Sequence, residues 1–384
     1  MTAPAPHPRR YLDNAATSWP KPEQVCAAWE QTARVLGATA GRAAYREAVQ
    51  AEAIRGRARA AAARLLGGVD PRRVALPASG TLALNMAIHG LVRPADHVIA
   101  TAADHNATLR PLHWLARRGV IGLEIVPCDG SGRVDPADVA AAWRPATRLV
   151  VCSQASNVSG ALQDAGAIAA VVHERGGILL LDAAQSLGQV PFAIPACGAD
   201  AVAAPAHKWL LGSAGAAVLW VREGLDPEPL IQGGTGTTSD ALDMPAEFTS
   251  RMEAGTPDVP ALAAFAAAAD WLGSRTVAEV GTGCRRLADR CAALLRDVRG
   301  VRVVAAADGA PIVSFTVEGY DPAEVAAVVE QAAGVQVRSG FHCAATVHEY
   351  LGTAATGTVR ASFGPFNSVE DVQSLVTAVE SLVA

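Results

Sequence analysis

Positive charge is scarce in this chain of 384 residues: 32 lysines and arginines stand against 37 aspartates and glutamates, a formal net charge of -5. The arginines are scattered along the sequence, so it offers no basic stretch to attract a phosphate backbone, and no nucleic-acid partner is expected. Aromatics are only 5% of residues, and the 51% hydrophobic share is carried mainly by alanine and valine. The core is therefore expected to be filled by small side chains packed closely between helices and sheet. No uninterrupted apolar run is long enough to span a bilayer, and the opening MTAPAPHPRRYLD lacks the apolar stretch of a signal peptide. A cytoplasmic location without membrane contact is the expectation. The cysteines, Cys26, Cys128, Cys152, Cys197, Cys284, Cys291 and Cys343, are odd in number and contain no CxxC pair. That pattern indicates neither a disulfide framework nor a zinc site. Histidines with paired ligand spacing are also missing, so no metal site is expected.

What is present suits a two-domain enzyme. Apolar runs of strand length recur at Val74–Leu76, Val98–Thr101, Leu123–Val126, Leu149–Cys152, Ile178–Leu181, Ala201–Ala204 and Ala217–Val221, as buried parallel strands do. Stretches between them, such as Ala161–Arg175, have helical spacing and end in glycine. The class is α/β, with a central, mainly parallel sheet. After GGTGTTSD (Gly233–Asp240) the texture changes to long alanine-rich helical stretches, Pro260–Leu272 and Val277–Val298. Strands follow near Val301–Val304, Ile312–Val317, Val335–Arg338 and Val359–Ser362, with helices at Pro322–Ala333 and Val369–Val383. We expect a large domain over residues 16–261 and a smaller α+β domain built from residues 1–15 and 262–384.

Two local patterns bear on chemistry. Ile178–Leu181 runs into Asp182, which places a carboxylate at the carboxyl end of a strand, where α/β folds bind ligands. The later run Ala201–Ala204 leads to His207 and Lys208. A lysine for a Schiff base and an acid beside a pyridinium nitrogen are the two groups pyridoxal phosphate needs. A helix-capping aspartate and a surface lysine would give the same pattern. Ser79-Gly80-Thr81 follows a strand and opens a helix, an arrangement that suits an anion, although simple turn chemistry accounts for it equally well.

Nine short segments in order add more: LDNAAT (Leu12–Thr17), SGTLALN (Ser79–Asn85), DHNATLRPL (Asp104–Leu112), SNVSG (Ser156–Gly160), DAAQ (Asp182–Gln185), HK (His207, Lys208), EAGTPD (Glu253–Asp258), RSGFHCA (Arg338–Ala344) and VRASF (Val359–Phe363). In these segments the chain resembles class V aminotransferases, and among them the cysteine desulfurases and selenocysteine lyases. The resemblance implies the fold type I architecture of pyridoxal-phosphate-dependent transferases. It also implies roles. Lys208 would carry the cofactor, Asp182 would pair with the ring nitrogen, Gln185 would contact the ring oxygen, and His105 would stack on the ring and assist proton transfer. Asn157 would lie near ring and substrate, and Arg360 would grip the substrate carboxylate. Gly80, Thr81 and His207 would hold the phosphate, joined by Thr256 from a second subunit, so a homodimer is implied.

Cys343 separates a desulfurase from an ordinary aminotransferase. The resemblance makes it the nucleophile that takes sulfur from L-cysteine, leaving alanine and an enzyme persulfide for an acceptor protein or reductant. Attack needs a thiolate, and His342 or the bound substrate is the expected source of activation. Selenocysteine as substrate would use the same atoms. A carbon-sulfur lyase or epimerase of another amino acid would not need Cys343, and a sulfur-relay scaffold would need only the fold. Three positions depart from the pattern: Pro205 stands where relatives often have a hydroxyl donor, Leu82 where many have an acid, and Phe341 where one branch has a second histidine. They bear on cofactor affinity and substrate choice.

Overall fold

The computed structural model describes residues 8–41, 43–237 and 239–383. The expectations made for residues 1–7, Arg42, Thr238 and Ala384 lie outside them. Thirteen strands are present among the described residues: β1 (Arg10–Tyr11), β2 (Val74–Ala75), β3 (His97–Thr101), β4 (Gly122–Val126), β5 (Thr147–Ser153), β6 (Ile178–Asp182), β7 (Ala201–Pro205), β8 (Ala217–Val221), β9 (Val301–Val304), β10 (Ile312–Val317), β11 (Val335–Gln336), β12 (Arg338–Gly340) and β13 (Thr358–Ser362). Every expected strand of the large domain exists, within a residue or two.

The large sheet runs β2-β8-β7-β6-β5-β3-β4. Neighbours from β7 to β4 are parallel, and β8 runs against both β7 and β2. Its central strands are buried along their length: all of β3, β6, β7 and β8. Continuous apolar runs such as ILLLD are what a sheet covered on both faces requires. One apolar core packs under it through Ile99, Val150, Leu179 and Val202, and a second packs on the opposite face through Val98, Val151, Leu180 and Ala203. Alternate residues of one strand supply the two cores, as a period of two demands. The helix Val259–Arg275 buries Ala261, Leu262 and Phe265 in the first of these cores.

The second sheet, β12-β13-β10-β9, is antiparallel throughout. The helices Val277–Arg296, Pro322–Ala333 and Val369–Val383 cover one face of it, around Phe315, Val325, Phe363 and Leu375. The expected single strand Val335–Arg338 is divided. β11 pairs in parallel with β1, while β12 turns to pair with β13. The N-terminal segment thus closes on the C-terminal part of the chain, with Asp13 bridging to Ser362. The helical run expected from Ala161 starts only at Ala165, because the Asp164 side chain accepts from the Ala167 N–H and caps it.

Candidate active site

Four neighbouring strands of the large sheet deliver residues to one cavity at their carboxyl ends. β3 leads to His105, β5 ends in Ser153 and leads to Asn157, β6 ends in Asp182, and β7 ends in Pro205 just before His207 and Lys208. The order β7-β6-β5-β3 makes these strand ends adjacent, in the crevice that open α/β sheets use for ligands. From the other side come Arg338 on β12, Arg360 on β13 and His342. Together they enclose about 250 Å³, which the start of the helix Gly80–Leu91 closes at one end. Of the expected site residues, Gly80, Thr81, His105, Asn157, Asp182, Gln185, His207, Lys208 and Arg360 all line it.

Asp182 is buried and accepts one hydrogen bond, from the Ala184 N–H at 2.9 Å. Burial pushes its carboxyl upward, against that hydrogen bond and the field of Lys208. Lys208 is brought down to about 8, first by burial and then by the balance of Asp182 against Arg360 and Arg338. Although they share a cavity, the two opposite charges form no ion pair among the described residues. A buried carboxylate and a buried amine held apart are a fitting pair of contacts for the two sides of a pyridine-aldehyde cofactor.

His105 caps the helix Asn106–Arg117 by accepting the Ala107 N–H on Nδ1 at 3.0 Å. That bond assigns its proton to Nε2. Burial, followed by Lys208, Arg338, Arg360 and Arg110, lowers it to about 4, so the ring is neutral near pH 7. Burial likewise lowers His207 to about 4, with Lys208 and Lys21 adding to it. Gln185 donates from Nε2 to the Ala15 carbonyl at 2.9 Å and accepts from Trp209 Nε1 at 2.7 Å, which fixes its carboxamide. Ser79 caps the helix at Gly80 by accepting the Leu82 N–H at 3.2 Å, and the first amides of that helix have no partner within it. Pro205 packs so tightly there that a Cβ added to Gly80 would lie 3.1 Å from its ring.

Arg360 is 1% exposed. Its Nη2 donates to Asp13 Oδ1 at 2.7 Å and its Nη1 to the Asn157 carbonyl at 3.0 Å, while its buried Nε has no partner. An unpaired guanidinium N–H inside the site is a free donor for a carboxylate. Asn157 donates from Nδ2 to the His342 carbonyl at 2.5 Å.

Cys343 is partly exposed and lines a groove with Asn85, His89, Asn106 and Trp114. Thr81, His105 and Ala107 line both this groove and the cavity. The sulfur thus stands at the mouth of the site. His342 and Cys343 both have positive φ, 50° and 60°, an unusual conformation for residues with side chains and one that recurs at functional sites. Expected to activate the thiol, His342 points its bonding elsewhere: Nε2 pairs with Thr358 Oγ1 at 2.9 Å, and burial, with Arg360, Arg338 and His348 adding to it, drives the ring to about 2. The group that touches the sulfur is Arg338, whose Nη2 lies 3.3 Å from Sγ. Thr256 is exposed and lines a separate groove with Leu76, Pro77 and Leu82.

Sequence reading gave no role to three residues that hold the site together. Asp13 anchors Arg360, and Arg338 meets Cys343. The third, Asp104, is fully buried and accepts the Thr101 and Ser153 N–H groups, tying β3 to β5. Burial raises its carboxyl to about 7, with Asp182 adding to the rise and its hydrogen bonds opposing it. Each stands in a segment already singled out; Asp13 and Asp104 reach partners in other segments, whereas Arg338 meets Cys343 within its own.

Comparison with known proteins agrees with this geometry. The profile of aminotransferase class V matches residues 10–375. A probable cysteine desulfurase of Methanothermobacter thermautotrophicus is 30% identical, over 97% of this chain and 94% of its own. The cysteine desulfurase CsdA of Escherichia coli is 29% identical, over 96% and 93%. Among solved structures, the apo cysteine desulfurase of Thermococcus onnurineus NA1 superposes with a TM-score of 0.90 at 28% identity, covering 98% of this chain and 94% of that one. The S-sulfonic acid form of CsdA gives 0.87 at 27%, over 97% and 94%. The fold is thus that of the fold type I pyridoxal-phosphate enzymes, and the chain belongs to the class V aminotransferase family.

Proposed function

We propose that this protein is a pyridoxal-phosphate-dependent cysteine desulfurase, converting L-cysteine to L-alanine and leaving the sulfur as a persulfide on Cys343. The observation that carries the reading is the position of Cys343, at the mouth of a cavity that already contains Lys208, Asp182 and His105. The full-length similarity to proteins named cysteine desulfurases supports it.

Pyridoxal phosphate, when bound, supplies an electron sink for bond changes next to the amino group. Lys208 would hold it covalently, Asp182 would keep its ring nitrogen protonated, and Gln185, Asn157 and His105 would surround the ring. Gly80, Thr81 and His207 would hold its phosphate, with Thr256 supplied by the second subunit of a homodimer. Arg360 would bind the substrate carboxylate through its free Nε–H. His105, neutral and carrying its proton on Nε2, can pass a proton between substrate and solvent. Arg338, whose Nη2 lies 3.3 Å from the Cys343 sulfur, would hold that sulfur in place beside the substrate. Attack of the Cys343 thiolate on the substrate sulfur forms the S–S bond as the C–S bond breaks, and protonation of the carbon gives alanine.

L-Selenocysteine fits the same contacts. The persulfide requires a reductant or an acceptor protein to turn over. The cellular site of action is proposed to be the cytoplasm; no described helix is long and apolar enough to cross a membrane. Incubating the cofactor-loaded protein with L-cysteine and dithiothreitol tests the reading: alanine and sulfide should appear in equal amounts. Pyruvate and ammonia, or D-cysteine, would instead identify a lyase or an epimerase.

A further inference from the structure

The helix Asn106–Arg117 starts at His105 and turns Ala107, Thr108, Leu109, Leu112 and Leu115 inward. Its other face carries Arg110, His113, Trp114 and Arg117 at helical spacing, with Arg118 as the C-cap, and all five are exposed. A groove follows this face to Ile125 on the edge strand β4 and to Thr346, in the segment just beyond Cys343. The groove of Cys343 shares Asn106, Arg110 and Trp114 with it. One continuous surface therefore runs from the edge of the large sheet to the sulfur.

Its chemistry is basic and apolar together. Arg110, Arg117 and Arg118 have no carboxylate partner among the described residues; Glu124, the acid next to Ile125, is held by Arg144 at 2.5 Å. Trp114 is 52% exposed and Ile125 41%, and the Arg118 guanidinium lies 4.9 Å from the Trp114 ring centroid. Three unpaired cations beside an aromatic and an aliphatic side chain, on a chain of net charge -5, complement an acidic segment with an apolar residue in it. The face also lies at the β4 edge of the sheet, whereas the groove of Thr256 lies by Leu76 and Pro77, at the β2 edge. The groove of Thr256 shares no lining residue with it.

The geometry points to this helix face as the docking surface for a sulfur-accepting protein that lays an acidic segment along Arg110, Arg117 and Arg118, rests an apolar side chain on Trp114 and Ile125, and brings a thiol to Cys343. Only the transfer step rests on the desulfurase reading. In that step the acceptor thiolate attacks the outer sulfur of the Cys343 persulfide. The old S–S bond breaks as the new one forms, and Cys343 leaves as a thiolate, with no net oxidation.

The probe is a fluorescein-labelled peptide rich in Glu and Asp, with one Leu and one Cys, titrated by anisotropy into cofactor-loaded Cys343→Ser protein. Binding should weaken as salt rises. It should be about tenfold weaker in the double variant Arg117→Gln/Arg118→Gln, as expected for the loss of two exposed charge pairs at low salt. Arg110 is left intact because its field reaches His105. Peptide binding that ignores both salt and the double variant overturns the proposal, as does an RNA oligonucleotide of equal charge that binds more tightly than the peptide. A second arm feeds L-cysteine to protein with an intact Cys343 and compares acceptors. The double variant should match the wild type with dithiothreitol and be about tenfold slower with the peptide. No alanine with dithiothreitol would refute the desulfurase reading, and the binding arm would still decide the surface.

Discussion

Arg338 and Arg360 stand directly opposite each other on the antiparallel strands β12 and β13. Like charges at such a position repel, and the protein answers by giving each its own partner: Asp13 Oδ1 for Arg360 at 2.7 Å and the Cys343 sulfur for Arg338 at 3.3 Å. The first pairing holds a guanidinium in the wall of the cavity; the second holds the Cys343 sulfur at its mouth.

The Arg338 contact predicts the reactivity of Cys343. A hydrogen bond to an ionised group is worth about 1.5–3 kcal/mol. Arg338→Ala should therefore slow iodoacetamide alkylation of Cys343 at fixed pH by about tenfold or more, with cofactor binding retained. Alkylation at the wild-type rate, located by peptide mapping, would mean that the contact does not govern the reactivity of the sulfur.

Asp13→Ala leaves the buried Arg360 cation without its counter-charge. Breaking a buried pair costs about 3–5 kcal/mol; with the Asp13 side chain 21% exposed, we expect the lower end of that range or somewhat less. Urea unfolding of the cofactor-free protein reads the loss. An Asp13→Ala protein as stable as the wild type would show that the pair contributes nothing.

Lys208, lowered to about 8, sets a pH dependence for cofactor capture, because only the neutral amine attacks an aldehyde. Below the pKa the amine is protonated, with about a tenth free at pH 7, so capture should accelerate as pH rises and level off above about 8. His105 and His207, both lowered to about 4, do not change charge in that window. Stopped-flow absorbance of cofactor addition gives the profile, and a rate still climbing beyond pH 9.5 would contradict the assignment.

Pro205 offers the phosphate end of the cavity no donor. Pro205→Ser should supply one and tighten cofactor binding by about tenfold, the lower value of a charge-assisted hydrogen bond. Equilibrium dialysis measures it; unchanged or weaker binding would show that the helix at Gly80 already satisfies the phosphate.

Most of the large sheet was legible because β3, β6, β7 and β8 are buried along their length and write themselves as largely apolar runs. Asp182 and Lys208 could be placed because each follows such a run, and His105 through the resemblance of its segment DHNATLRPL to the family. The split at Val337 was not legible, since β11 and β12 are two and three residues long and differ only in whom they pair with. Two helices near the N-terminus, Glu23–Gln31 and Arg46–Leu65, also left little sign: the fully buried residues of the second are all alanines. One anchor of the site, Asp13, was hidden by distance along the chain. Asp13 meets Arg360 across 347 residues, and no local pattern announces such a contact.

The central claim is that Cys343 takes the sulfur, and the direct measurement is alanine release by Cys343→Ala with L-cysteine and dithiothreitol. Lys208, Asp182 and Arg360 are untouched in this variant, so it should bind the cofactor and show the same spectral response to L-cysteine. Alanine formation should nonetheless fall by orders of magnitude, as when a covalent nucleophile is removed with binding preserved. Mass spectrometry of the wild type after brief exposure to L-cysteine should place one added sulfur on Cys343 and none on the other cysteines. Alanine release by Cys343→Ala at the wild-type rate would contradict the account.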